Sequence, residues 1–320
     1  MKEIGGYFGL EELSGTEYYA DLIPLNSGRN ALLYICLAKN IRKLYLPYFL
    51  CSCISDMCRE HGIEVSFYHI NEQLMPLLEA KPHDGQAVYV VNYYGRLDCG
   101  AVERLQDRYN GRLIVDNTHA FFQAPVSGVD TLYSCRKFFG VPDGAYLATD
   151  KKLVQPLARE EVRENMGHIL GRYEKCASGF YSEYQKNDDR FYYAPLKRMS
   201  KISSNILRGL NYEMISEKRT KNYCWLRQKL DTSNLLETEL HAGPFCYPLF
   251  CKNGIQVRQY LIQHGVYIPT LWPNVLQLEN CPLEKNFAKN ILPIPCDQRY
   301  NLADMKIITE LLWQTGVIQP

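Results

Sequence analysis

The chain has 320 residues, 46% hydrophobic and 22% charged, with 36 basic against 35 acidic side chains for a net charge of +1. That composition is globular and excludes disorder, collagen and coiled coil, while the length allows two domains or one large one. A near-neutral chain lacks the broad positive field of a non-specific nucleic-acid binder, and no apolar run reaches the 18 or so residues of a membrane span, so neither partner is expected. The opening MKEIGGYFGLEEL has no basic stretch followed by an apolar one, which argues against a secretory leader and for a cytoplasmic protein. Twelve cysteines fall well below the density of disulfide-stapled scaffolds. Cys51, Cys53 and Cys58 lack paired zinc spacing, so reduced thiols and no metal site are expected.

In chain order, residues 31–40 place Leu32, Ile35 and Cys36 at helical spacing. KLYLP (43–47) reads as a strand, and 52–61 as a helix stopped by Gly62. VSFYHI (65–70) is a strand, and AVYVVNYYG (87–95) has the β-branched and aromatic content of a strand buried on both faces. A helix over 101–109, strands over 113–116 and 131–134, and a strand over 145–149 after the Pro142-Asp143-Gly144 turn complete an alternating pattern. Such alternation predicts an α/β fold with a mainly parallel sheet flanked by helices, whose ligands bind beyond the carboxyl ends of the strands. From 151 to about 230 the pattern is helical and charged, with an aromatic-rich loop at 188–195. A smaller β/α unit follows. It has a strand within 244–250, a helix to His264 that Asn253 can cap, extended segments at 267–273 and 291–295, and a last helix over 302–313. The predicted domains are 1–235, large and cofactor-binding, and 236–320, small and C-terminal.

Three segments carry chemistry. In LNSGRNALLY (25–34) a glycine opens a helix, where free N–H groups and the helix dipole favour an anion; Ser27 can cap, and Gly28 lets a phosphate approach. In LIVDNTHAFF (113–122) Asp116 closes an apolar strand, where a carboxylate is costly unless paired, and a protonated ring nitrogen is a fitting partner. His119 stands three residues on, placed to hydrogen-bond a ring oxygen or to stack. In YSCRKFFGVPDGAYL (133–147) Lys137 follows a strand and precedes two phenylalanines; an amine held against apolar surface loses hydration and can serve as a nucleophile. Ser134 and Arg136 lie nearby, the first suited to a phosphate and the second to a phosphate or a substrate anion. Taken singly, each segment also has an ordinary structural explanation: an N-cap, a turn-capping carboxylate, solvated loop charges.

Together, the order and spacing of helix mouth, strand-end aspartate and lysine resemble the fold-type-I pyridoxal-phosphate enzymes. More closely, the chain resembles the DegT/DnrJ/StrS family of sugar aminotransferases, through LYLPYFLCSCISDMCREHGIEVSFYHI (44–70), VVNYYGRLDCGAVERLQDRYNGRLIVDNTHAFF (90–122), SCRKFFGVPDGAYLATD (134–150) and two C-terminal segments beginning PFCYP and ILPIP. The resemblance implies pyridoxal 5'-phosphate bound covalently to Lys137, with Asp116 on the ring nitrogen and His119 where the family usually has glutamine. It also implies a phosphate held by Gly28, Arg29, Asn30 and Ser134. Cys51 stands where an aromatic usually stacks on the ring, with Tyr48 and Phe49 as neighbouring candidates, and Lys197–Ser200 replaces a segment that often supplies an asparagine. The implied activity is transfer of an amino group from an amino acid, glutamate by expectation, to a nucleotide-linked keto-sugar in surface polysaccharide or amino-sugar biosynthesis. The implied assembly is a homodimer with the site at the subunit interface. Two alternatives stay open: a non-catalytic binding or scaffold protein on the same fold, and a pyridoxamine-dependent sugar dehydratase, in which histidine replaces the lysine.

Overall fold

The computed structural model describes residues 4–318. The alternation in the sequence becomes β1 (Ile23–Leu25), α1 (Gly28–Ala38), β2 (Lys43–Pro47), α2 (Ser52–Glu60), β3 (Glu64–Ile70), β4 (Pro76–Leu77), β5 (Gln86–Val91), α3 (Cys99–Arg108), β6 (Leu113–Asp116), β7 (Asp130–Ser134) and β8 (Ala145–Ala148). A helical stretch follows: α4 (Gly167–Glu174), α5 (Tyr181–Asp189), α6 (Lys201–Arg208) and α7 (Tyr212–Leu230). The chain ends with β9 (Tyr247–Phe250), α8 (Gly254–Gln263), α9 (Pro282–Asn290), β10 (Ile291–Ile294) and α10 (Leu302–Gln314).

Eight strands form one sheet in the order β1-β8-β7-β6-β5-β2-β3-β4. The run from β7 to β3 is parallel, whereas β8 opposes β7, β1 opposes β8 and β4 opposes β3. All of β6 and nearly all of β5 are buried, as a parallel strand covered on both faces must be. The carboxyl ends of β2, β5, β6 and β7 therefore open on one edge, and β1, two reversals away from β7, ends there too.

Three local details differ from expectation. The first helix starts at Gly28 rather than Ala31, because Ser27 Oγ accepts from Asn30 N at 3.2 Å and caps the turn, a contact worth about 1 kcal/mol. The strand expected over 87–95 stops at Val91: Tyr94 and Gly95 take φ of 57° and 79°, which turns the chain out of the sheet. Asn253 stands at the start of α8 but its side chain makes no cap bond; Asn290 Oδ1 accepts from Gly254 N instead, at 2.9 Å.

A second core gathers Tyr223, Leu226 and Leu230 of α7 with Leu249, Leu261, Leu292, Met305, Ile308 and Leu312 around the two-stranded β9–β10 ladder. Leu236, Cys246, Phe287 and Ile291, though late in the chain, pack into the core of the large sheet. Twelve cysteines are free thiols. Among the described residues no helix is long and apolar enough to cross a membrane.

Candidate active site

The sheet edge assembles the site. β6 delivers Asp116 at its last position, and the loop after it carries Thr118 and His119; β7 delivers Ser134, and the 3-10 turn Cys135–Lys137 carries the lysine. Because β6 and β7 are adjacent and parallel, the aspartate and the lysine turn share one crevice. The Lys137 charge acts on Asp116, His119 and Cys51, and Lys137 Nζ lies 3.4 Å from His119 Nε2 and 5.6 Å from the Phe245 ring centre.

Asp116 is buried. Its Oδ2 accepts from Tyr89 OH at 2.5 Å and its Oδ1 from Thr118 N at 2.9 Å. Burial raises its pKa, against the pull of these donors and of Lys137. No ion pair among the described residues includes it. A carboxylate has about four acceptor sites, so two donors leave room for a cationic N–H.

His119 is fully buried between rings: Phe245 lies parallel at 4.4 Å, Trp272 at 5.9 Å and Tyr94 at 5.5 Å. Burial, with the nearby Lys137 charge, holds its pKa well below the ordinary value, so the ring is neutral. Its Nδ1 faces the Tyr94 amide at 3.5 Å. That contact assigns the ring proton to Nε2, the nitrogen facing Lys137.

At the mouth of α1, a Cβ built on Gly28 would meet Leu132 Cδ1 and Thr118 Cγ2 at 3.7 Å and Ser134 Cβ at 4.0 Å. Gly28 thus lies beside Thr118 and Ser134, at a helix mouth whose first-turn N–H groups lack helical partners. Asn30 is occupied elsewhere: its amide donates to Asn26 Oδ1, Ala194 O and Pro195 O. Arg29 donates to Phe191 O and lies over the Tyr192 ring, and its buried Nε has no partner. Arg136 is neutralised by Asp188 at 2.9 Å and lies over Phe191. Tyr193 points to solvent.

Cys51 precedes α2, half-buried. A hydrogen bond from Cys53, helped by the Lys137 and Arg29 charges, pulls its thiol down to about 6. Tyr48 stacks on Phe67 and His69, and Phe49 is buried against Tyr93 and Trp272, so neither side chain is available to the crevice. In 197–200, Lys197 pairs with Glu160 and Ser200 donates to Asp143.

Several contributors have no signal in the sequence. Phe245 and Trp272 arrive from the C-terminal region. Tyr89 is an inward residue of β5. Arg219, buried in α7, donates to Phe138 O at 3.1 Å, and Gln298 donates to the same carbonyl at 2.7 Å. Those two donors fix the carbonyl of the residue after Lys137. Gly144, with φ of 126°, lets the next turn pass Cys135: a Cβ there would lie 3.2 Å from Met199 Cε and 3.3 Å from Cys135 Cβ.

No family model and no curated protein sequence matches the chain. Solved structures do. A DegT DnrJ EryC1 StrS aminotransferase from Brucella abortus superposes with a TM-score of 0.63 at 13% identity, over 92% of this chain and 85% of that one. DesV of S. venezuelae, solved with a ketimine intermediate, gives 0.63 at 16% identity over 92% and 84%. A GDP-4-keto-6-deoxy-D-mannose-3-dehydratase of E. coli with bound hydrated PLP gives 0.62 at 15% identity over 91% and 87%. The chain therefore has the fold of these fold-type-I proteins, as its sequence predicts.

Proposed function

We propose that the chain is a pyridoxal-phosphate-dependent aminotransferase that moves an amino group from an amino acid, glutamate being the expected donor, to a nucleotide-linked keto-sugar. The observation that carries this is Asp116: a buried carboxylate with spare acceptor capacity and no cation in contact, at the same strand ends as the Lys137 turn and near the mouth of α1. A pyridinium N–H satisfies it, and each charge lowers the other's cost of burial. When bound, pyridoxal 5'-phosphate supplies an electron-withdrawing ring that can take up and release an amino group.

This chain's own residues do the rest. Asp116 keeps the ring nitrogen protonated, and Tyr89 and Thr118 hold the carboxylate in place. Lys137 Nζ would anchor the cofactor and is placed to move a proton at the substrate carbon. His119 Nε2–H donates toward the ring oxygen, as the family's glutamine amide does, and its stacked neighbours fix the ring and exclude water. The N–H groups of Gly28 and Arg29, with the Ser134 hydroxyl, cradle the phosphate. Asn30 acts by holding the 194–195 loop beside that cradle, and Cys51 flanks the cofactor face. The proposal extends to two domains divided near 235, a homodimer and a cytoplasmic setting in amino-sugar or surface-polysaccharide synthesis. Lys137 favours amino transfer over the dehydratase alternative.

Borohydride treatment of the protein loaded with pyridoxal phosphate, followed by peptide mass mapping, tests the site. The adduct is expected on Lys137 and absent from a folded Lys137→Ala variant; an adduct on another lysine overturns the assignment. Incubation of the unreduced, cofactor-loaded protein with glutamate, followed by mass detection of pyridoxamine phosphate, separates a transaminase from a binding protein.

A further inference from the structure

At the carboxyl end of β3, three side chains of different chemistry converge. His69, Cys281 and Glu284 each offer a ligand atom, all within 4.8 Å of one another. Cys281 and Glu284 are 1% exposed. Cys281 stands at the start of α9 without a side-chain cap bond. Glu284 Oε1 receives Ile70 N at 3.2 Å and lies 3.0 Å from His69 Nδ1. Glu284 Oε2 is buried with no partner at all. An orphaned buried carboxylate oxygen costs about 1–3 kcal/mol or more, so a plain histidine–glutamate contact leaves half of the group unexplained.

We propose that His69, Cys281 and Glu284 form a binding site for a zinc-class divalent cation, with solvent in the fourth position. One imidazole, one thiolate and one carboxylate make a borderline-soft donor set that suits zinc and disfavours magnesium or calcium, which require oxygen. A tetrahedral ion with bonds of about 2.0–2.3 Å draws its ligand atoms to about 3.3–3.8 Å apart. His69 can make that adjustment, since its side chain is 46% exposed; its ring lies tilted against Tyr48, with ring centres 4.7 Å apart and planes at 38°. The cation ties the outer part of the parallel sheet to α9. Pro282 pre-sets the first turn of α9 and so the spacing of Cys281 to Glu284. The site is thus structural, and none of its three residues takes part in the proposed chemistry.

The test uses the full chain with thiols reduced, stripped by chelator, mixed with Zn²⁺ alone and desalted. One zinc per chain is expected to remain, and Co²⁺ in its place is expected to give a sulfur-to-cobalt charge-transfer band. His69→Ala, at a half-exposed position, and Glu284→Gln, which keeps an acceptor for Ile70 N, are each expected to weaken retention by more than about tenfold, and Cys281→Ser to remove the band. Circular dichroism verifies that each variant is folded. A Cys51→Ser/Cys53→Ser variant is expected to retain zinc unchanged. Failure of the wild-type chain to hold zinc, or equal retention by folded His69→Ala, overturns the site.

Discussion

Two buried carboxylates at the same end of the sheet are treated in opposite ways. Asp143, in the turn after the lysine, accepts from Ser200 N at 2.9 Å, from Ser200 Oγ at 2.6 Å and from Ser203 Oγ. Its neighbour Glu160 is likewise saturated, by Asn26 at 2.9 Å, Lys197 at 3.3 Å and Arg190 at 3.6 Å. Asp116 has two donors and no cation in contact. The saturated groups hold chain segments together: Asp143 fixes α6 to the lysine turn, and Glu160 ties 159–160 and 197–198 to the start of α1. Asp116 ties down little, and its charge is left for a ligand. Burial alone does not separate structural from functional carboxylates; which chain segments the donors tie together does.

The comparison breaks if removing either group has the same consequence. Asp143→Ala orphans three donors and is expected to destabilise the chain by about 3–5 kcal/mol, read as a lower urea midpoint with or without cofactor. Equal melts for Asp143→Ala and wild type would show that saturation holds nothing. Asp116→Asn is expected to leave the apo melt within about 2 °C of wild type while weakening pyridoxal-phosphate binding about 100-fold, the cost of stripping one partner from a buried charge pair. Spectrophotometric titration measures it.

Histidines sharpen the point. Burial pushes His241 down to about 4 from an ordinary 6.5, and both of its ring nitrogens are without partners. His119 is pushed down in the same sense. The unfolded chain takes up protons between those limits and the folded chain refuses them. Stability is therefore whole above pH 6.5 and is lost as pH falls toward 4, by up to about 3 kcal/mol for His241. His241→Phe is expected to flatten the melting temperature across that range; a slope identical to wild type would assign the acid lability elsewhere. The smallest effect concerns Cys51, whose thiol stands near 6. Its alkylation is expected to show a midpoint near pH 6 and, at pH 7, to run about two- to threefold faster than that of an ordinary thiol, the larger thiolate fraction being partly offset by lower nucleophilicity. Loading with pyridoxal phosphate should slow it, because Lys137 and Arg29 then face the cofactor; a midpoint near 8.5 would separate Cys51 from those charges.

The local logic of the chain was legible in its residues. Largely apolar runs of four to six residues at 43–47, 65–70 and 113–116 marked the parallel strands, and Ser27 marked a helix start because an N-cap is a three-residue event. Asp116 stood out because it closes an apolar strand, and Lys137 because it follows one and precedes two phenylalanines, places where a charge needs a reason. Phe245, Trp272, Arg219 and Gln298 were not legible: each acts on the crevice from at least 80 positions beyond Lys137, and periodicity carries no record of contacts at that separation. The same holds for His69 meeting Cys281 and Glu284, since paired spacing along the chain is how a metal site announces itself and here the ligands come from β3 and α9. Nor does the sequence say that the Asn30 amide is committed to 194–195, or that Asp188 neutralises Arg136. Backbone pattern and local capping settle which elements form and which edge of the sheet they open on; which side chains remain unsatisfied on that edge is decided only when distant segments pack against it.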